Sequence, residues 1–478
     1  MTILQKKMIS TLSERKTTMR FDMKKHRHTV HQSDTTKKPN ILWIITDQQR
    51  AETLSINGCE NASTPNLDVL AKTGANFTNA VSGFPLCCPF RGSMLTSLYP
   101  HKCVPGHEYP LPAGQTTIAN VFGDAGYDTF YLGKWHLDGF KEGRHGTHFI
   151  PRERRGGFAS WLAYENNNAQ YDCYLHGHLH DEEIEMFRLG YETDSMTDIL
   201  LDYIEEHAGN EQPFFAIMSV QPPHDPYVAP PRDQYGHAPA GIKFRPNVPD
   251  IPEIKDIAAQ ELSGYYAMVE NIDRNVGRIV DLLTKTNQID NTHILFFSDH
   301  GDMHGSHGQF KKTIPYQEAI NIPFIISGEK RCGFMDSRRA GNVGNVPINH
   351  VDIAPTSLGL CGIDVPEWME GTDYSAIRLL DKPRPGYPDS AYLQSVIPTY
   401  HGDSINKPWR GIVTTDGYKY VCFEGTDWML YNLNNDPYEQ VNLAHNEKYR
   451  ALRLRLRERL AKWIADTGDR FKLPEDGQ

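Results

Sequence analysis

Apolar residues in this chain gather into a few short unbroken runs and one long periodic stretch. Asn40 to Thr46 reads NILWIIT, continuous and rich in branched side chains, and it stops at the polar Asp47-Gln48-Gln49. Pro213–Val220 (PFFAIMSV) and Thr292–Ser298 (THILFFS) repeat the form, the latter followed by Asp299-His300-Gly301, and a further run spans Pro323–Ser327. Runs apolar on both faces predict strands covered from both sides, as in a parallel sheet. From Leu262 the apolar positions fall at Tyr266, Val269, Ile272, Val276, Ile279 and Leu283, steps of 4, 3, 3, 4, 3 and 4 that predict a long amphipathic helix. Shorter helices are predicted at Pro65–Lys72, Thr117–Asp124, Ser195–His207 and Asp352–Leu360. Strands alternating with helices give an α/β fold class, a sandwich around a large, mostly parallel central sheet.

Near the end the pattern changes. Between about Ala391 and Leu433 the short segments AYLQSV, RGIVTT, YKYVCF and WMLYNL, separated by Gly, Asp and Asn, predict a smaller C-terminal antiparallel sheet. A terminal helix from Glu447 to about Asp466 closes the chain. The Pro/Gly-rich stretch Lys382–Pro388 marks the expected boundary, dividing residues 39–385 from residues 386–478.

Composition narrows the function classes. With 478 residues, 39% hydrophobic and 23% charged, the chain is an ordinary globular protein large enough to build its own core. No run is long and apolar enough for a membrane span, and the N-terminus lacks the apolar core of a secretory signal, so the expectation is a soluble chain, cytoplasmic by default. Residues 1–38 carry ten Lys/Arg against three Asp/Glu, a net of +7, and read as a basic, flexible tail outside the fold. The overall charge of −11 therefore leaves −18 on the rest, an acidic body that argues against a nucleic-acid surface. Eight cysteines without CxxC spacing indicate neither a disulfide framework nor a zinc ribbon.

Candidate chemistry sits at the strand ends. In an open α/β sheet the ligand site lies beyond the carboxyl ends of the strands, where both Asp47 and Asp299-His300 stand, about 250 residues apart. Either Asp alone reads as a turn cap. Converging, they would suit a hard divalent cation, Ca²⁺ or Mg²⁺. The sharpest signal is Cys87-Cys88-Pro89-Phe90-Arg91, ahead of a plausible helix start whose backbone dipoles would favour an anion beside Cys87.

Seven motifs then occur in order: PNILWIITDQQR, TPNLDVLAKTGANF, CCPFRGSMLTS, GYDTFYLGKWH, QPPHDPY, FFSDHGDMHGSHGQFKK and LYNLNNDPYEQVNL. From about Pro39 to Leu443 the chain thus resembles the formylglycine-dependent type I sulfatases of the alkaline phosphatase superfamily. The resemblance implies an alkaline-phosphatase-like sandwich as the catalytic domain and a sulfuric ester hydrolase. It implies that a formylglycine-generating maturation enzyme oxidises Cys87, whose hydrated aldehyde is the nucleophile; Cys88 lacks Pro at +2 and Arg at +4 and is left to packing. The family usually carries Ser or Ala where this chain has Phe90.

Asp47, Gln48, Asp299 and His300 match the metal-ligand positions, for Ca²⁺ with Mg²⁺ or Mn²⁺ as alternatives, and Gln48 replaces a second Asp common in relatives. Arg91, Lys134, His136, His224 and Lys312 match the polar ring around the nucleophile and the sulfate group. Cations fixed there would oppose the negative charge of the transition state. His136 is then the expected base for sulfate expulsion, with His224 and Lys312 the candidates to protonate the departing alcohol. His101, His107, His304 and His307 are left as structural or substrate-lining.

Residues 143–192 read as an insertion, with Arg152, Arg154, Arg155 and the tract His176-Gly177-His178-Leu179-His180. Alternating histidines are one ligand pattern. The length favours a surface loop over the mouth of the site, where Arg154 and His178 would set substrate choice. The substrate expected is a sulfated saccharide or another small sulfate ester, with neither nucleic acid nor membrane as partner. Two rivals remain: a phosphate or phosphonate ester hydrolase of the same superfamily, and a non-catalytic sugar-binding relative.

Overall fold

A computed structural model describes residues 37–139, 146–328, 341–344, 346–379, 382–402 and 404–475. Apart from Lys37 and Lys38, the basic segment expected to be a tail lies outside the described residues. Lys37–Gln478 forms one compact unit.

The predicted runs become the centre of a ten-stranded sheet. In chain order its strands are β1 (Asn40–Thr46), β2 (Ala75–Phe77), β3 (Asp128–Lys134), β4 (Ser160–Tyr164), β5 (Tyr174–Leu179), β6 (Glu182–Arg188), β7 (Phe214–Ser219), β8 (Thr292–Ser298), β9 (Phe324–Gly328) and β10 (Gly341–Val343). Their spatial order is β10-β2-β9-β8-β1-β7-β3-β4-β5-β6. The middle five, β8-β1-β7-β3-β4, are all parallel, while β9 and β5 run against their neighbours.

Because side chains alternate along a strand, β1 feeds two cores. Ile41, Trp43 and Ile45 pack beneath the helices α2 (Cys87–Thr96), α3 (Ile118–Asp124) and α6 (Ile353–Leu360). On the opposite face, Leu42 and Ile44 pack with α1 (Pro65–Thr73), α4 (Glu192–Glu206) and α5 (Pro252–Lys285). Helix α5 buries the predicted stripe from Leu262 to Leu283 and begins earlier, at Pro252, where Ile254 and Ala258 continue the stripe in steps of four between mostly exposed polar residues.

The second sheet is antiparallel, in the order β11 (Ser390–Ser395), β12 (Trp409–Thr414), β13 (Tyr418–Phe423) and β14 (Thr426–Asn432). Its Ile412, Tyr420 and Leu430 face Leu456 and Leu460 of α7 (Arg450–Thr467). Val413, Val421 and Met429 face Met303 and Ile314, in the connection that follows β8.

Two expectations need correction. GYDTFYLGKWH contains β3, a central strand that its Asp, Thr and Gly residues hide from an apolar-run criterion. Residues 160–188, expected within a surface loop, supply β4, β5 and β6 and extend the sheet. His176 and His178 lie buried in β5, where His176 Nε2 accepts from the Ile150 amide at 2.8 Å. Arg155 donates to His178 Nδ1 at 2.8 Å, while His178 Nε2 lies 3.1 Å from the Phe158 carbonyl. Arg154 is tied to Asp138 at 3.0 Å. His178 is thus a packed core histidine rather than a residue at the mouth, and His176 with it.

Beneath α2, Phe90 and His350 meet at right angles with ring centroids 5.2 Å apart. Neither nitrogen of the buried His350 has a hydrogen-bond partner, and burial pushes its pKa down to about 3. A base depressed from 6.5 contributes stability above pH 6.5 that is lost as pH falls toward 3, because the unfolded chain takes up the proton first. Thermal unfolding of the protein and of His350→Leu at pH 7 and pH 5 should therefore show the variant gaining about 2 kcal/mol relative to the parent at the lower pH. An unchanged difference between the two pH values would mean that His350 is charged in the fold.

Candidate active site

The parallel pairing of β1 with β8 sets Thr46 opposite Ser298, so the next residues, Asp47 and Asp299, leave the same sheet edge side by side. Lys134 ends β3 and Ser219 ends β7 at that edge. Gly133 has φ 107°, and a Cβ there would collide with the Ser219 carbonyl, so a glycine is what lets the chain bend past β7 and present Lys134. Cys87 opens α2 and points its thiol into the cluster from the helix N-terminus.

The resulting site is buried and densely charged. Asp47 Oδ2 receives Lys134 Nζ at 2.8 Å and Arg91 at 3.2 Å, and the same guanidinium reaches Asp299 Oδ2 at 3.4 Å. Arg91 also donates to the Ser219 hydroxyl at 2.8 Å and to the Lys134 carbonyl at 2.9 Å. Cys87 Sγ lies 3.2 Å from His300 Nε2, 3.4 Å from Lys312 Nζ and 3.6 Å from Asp47 Oδ1. Lys312 donates in addition to Gln48 Oε1 at 2.9 Å and to His224 Nε2 at 3.0 Å.

These neighbours set the charge states. Burial alone would raise Asp47, but Lys134, His224, Lys312 and Arg91 hold its carboxyl well below the usual range. Asp299 is pushed up to about 6 by burial and by the Asp47 charge. Burial and Lys312 press His224 down to about 4, so its imidazole is neutral near pH 7. Burial opposes charge on His136 too, yet the thiols of Cys88 and Cys87 and the Glu108 carboxylate raise it well above the ordinary histidine value.

Asp47, Asp299, His300 and Cys87 each offer a donor atom, all within 4.8 Å of one another. His300 Nδ1 donates to the Gly301 carbonyl at 3.0 Å, which leaves the Nε2 lone pair facing this cluster. Two carboxylates and an imidazole fit a hard divalent cation. Gln48 sits at φ 69° and turns its amide between Asp302 and Lys312; its carbonyl oxygen accepts from Lys312 and keeps a second lone pair for an ion.

His136 stands at the rim, its Nε2 3.2 Å from Glu108 Oε1 and its buried Nδ1 without a partner. Glu108 carries no signal in the sequence, because nothing in its neighbourhood pairs it with a histidine 28 positions away. Ser219 could have been found, since it ends an apolar strand as Asp47 nearly does. Of the histidines set aside, His304 pairs with Glu261 at 3.1 Å and His307 stacks on Tyr316 at 4.0 Å, whereas His107 lies beside His136, with ring centroids 5.9 Å apart. His401 packs on His107 at 5.3 Å and brings the connection between β11 and β12 to the site.

The chain is similar to known proteins along most of its length. The Sulfatase family model matches residues 39–363, and the model for the C-terminal part of N-sulphoglucosamine sulphohydrolase matches residues 305–466. An ulvan-active sulfatase of Formosa agariphila is 35% identical over 453 residues, covering 93% of this chain and 84% of that protein. An N-acetylglucosamine-6-O-sulfatase of Bacteroides thetaiotaomicron is 24% identical, covering 87% of this chain and 85% of that protein. The crystal structure of the putative sulfatase yidJ from Bacteroides fragilis superposes with a TM-score of 0.80 at 28% identity, over 92% of this chain and 98% of that one. With the family model spanning well over half its length and the same large mixed sheet at its centre, this chain belongs to the type I sulfatases of the alkaline phosphatase superfamily and is a sulfuric ester hydrolase.

Proposed function

We propose that this sulfatase removes sulfate from a sulfated saccharide, with Cys87 matured to formylglycine by a partner enzyme and with Asp47, Asp299, His300 and Gln48 holding one divalent cation, Ca²⁺ or alternatively Mg²⁺ or Mn²⁺. The observation that carries the reading is the convergence of Cys87, Asp47, Arg91, Lys134, His300 and Lys312 in one buried cluster. The saccharide rests on two relatives, one named for ulvan and one for N-acetylglucosamine. When present, the formylglycine hydrate supplies the nucleophilic oxygen, and the cation supplies Lewis-acid polarisation of the sulfate.

The chain's own residues do the rest. Lys134 and Arg91, fixed by Asp47 and Asp299, present positive charge where the sulfuryl oxygens gain negative charge, with no reorganisation during the reaction. Glu108 orients the His136 ring through Nε2 and leaves Nδ1 as the atom for proton transfer; His136 serves as base in its neutral form, which the Cys87 thiol, Cys88 and Glu108 oppose while that thiol is present. Neutral His224 receives a hydrogen from Lys312 at Nε2 and donates from Nδ1 to the Asp225 carbonyl at 2.8 Å. Lys312 is therefore the proton donor to the leaving oxygen, and His224 holds it in line.

A sulfate monoester carries one negative charge near neutral pH and a phosphate monoester nearly two, so these two separate by charge as well as by central atom, whereas a phosphonate monoester, also a monoanion, differs from the sulfate ester in its central atom and not in its charge. The test is kcat/KM of matured, cation-loaded enzyme on matched aryl sulfate, phosphate monoester and phosphonate monoester, followed by a panel of defined sulfated saccharides. Sulfate should lead. A phosphorus substrate ahead by tenfold, about 1.4 kcal/mol of transition-state binding, would overturn the assignment, and no turnover of any sulfated saccharide would remove the carbohydrate.

A further inference from the structure

Beside the nucleophile lies a second donor cluster that the proposed reaction does not use as such. Cys88 Sγ and one ring nitrogen each of His107 and His136 lie within 4.8 Å of one another. Cys88 and His136 are buried, and His107 is partly exposed. The Nδ1 atoms of both histidines are buried with no hydrogen-bond partner, an arrangement that costs free energy unless something occupies them. Their Nε2 atoms both face one carboxylate: Glu108 Oε1 is 3.2 Å from His136 and 3.5 Å from His107. A carboxylate on the far nitrogen is how ligating histidines are held with the near lone pair aimed at an ion.

We propose that Cys88, His107 and His136 form a binding site for a borderline-soft divalent cation of the Zn²⁺ class, separate from the hard-cation site at Asp47 and Asp299. One thiolate and two imidazoles give three ligands with a fourth position open to water, a donor set that selects Zn²⁺ over Ca²⁺ or Mg²⁺. Binding releases the Cys88 thiol proton and the extra proton of the His136 imidazolium to solvent, and forms the metal–sulfur and metal–nitrogen bonds without any redox change. Occupancy inhibits, because the ion engages His136; this part rests on the reading of His136 as the base.

Co²⁺ serves as a spectroscopic probe for the site. Ca²⁺-saturated Cys87→Ala protein, in which Cys88 is the thiol remaining in the cluster, should bind one equivalent with thiolate-to-cobalt charge-transfer absorption. Adding Cys88→Ser should abolish that absorption, and adding His107→Gln at the partly exposed ligand should weaken binding at least tenfold, about 1.4 kcal/mol. Absence of the charge-transfer band, or parental affinity in both variants, would overturn the site. This measurement needs neither substrate nor maturation, so failure of the sulfatase mechanism leaves it standing. On matured enzyme, Zn²⁺ should inhibit turnover and His107→Gln should raise the inhibitory concentration tenfold; full turnover at saturating Zn²⁺ would refute inhibition.

Discussion

Cys87→Ala is expected to lower the turnover of a sulfate ester by roughly 10⁴-fold or more, the order seen when a covalent nucleophile is removed while the electrostatic surroundings stay in place. The expectation follows from position. Cys87 is the first residue of α2, and its sulfur lies between His300, Lys312 and Asp47, while Arg91, one turn along the same helix, is clamped to Asp47 and Asp299. A methyl group at position 87 keeps the helix and the cations and removes only the reacting atom. Mass spectrometry of the parent should locate the aldehyde on the peptide at Cys87, with Cys88 unmodified. Retained turnover in Cys87→Ala, or an aldehyde at Cys88, would show that the neighbouring thiol is the one that matures.

Asp299→Asn should weaken binding of the hard cation by about 100-fold and reduce activity in parallel, with the fold intact. The amides of Gln48 and His300 donate to Asp299 Oδ1 at 3.0 and 2.9 Å, and an asparagine carbonyl oxygen still accepts both. Its amide NH₂ then faces the Arg91 guanidinium in place of an acceptor, so one ligand charge is lost and Arg91 is held by Asp47 alone. Calorimetric titration of the metal-free protein with Ca²⁺, alongside thermal unfolding, separates loss of binding from loss of fold. Unchanged Ca²⁺ affinity, or full turnover after exhaustive chelation, would remove Asp299 from the cation site.

Several elements of this protein are set by local sequence. NILWIIT and THILFFS are apolar on both faces, and only a covered central strand accepts that pattern, so β1 and β8 are legible from their residues alone. The 3- and 4-residue steps from Leu262 make α5 legible in the same way. The Cys87 motif, with Arg91 one helical turn on, marks a nucleophile and its cation because both lie on one short segment. What tertiary structure alone decides is whatever depends on a neighbour distant in the chain. β3 carries Asp128, Thr129 and Gly133 and becomes a central strand only because β7 and β4 pair with it. β5 and β6 read as a loop because their Gly, His and charged residues break any apolar run, and they become strands through pairing, β5 with both β4 and β6 and β6 with β5 at the sheet edge. The direction of β9 is likewise a property of its pairing with β8. Asp47 and Asp299 become one site through the register Thr46 to Ser298, and His136 acquires Glu108 and the Cys88 thiol through contacts across the fold. Local pattern records which side chains must leave water, but the identity of the atoms that meet at a buried charge is settled by strand order and register, to which residues far apart in sequence contribute equally.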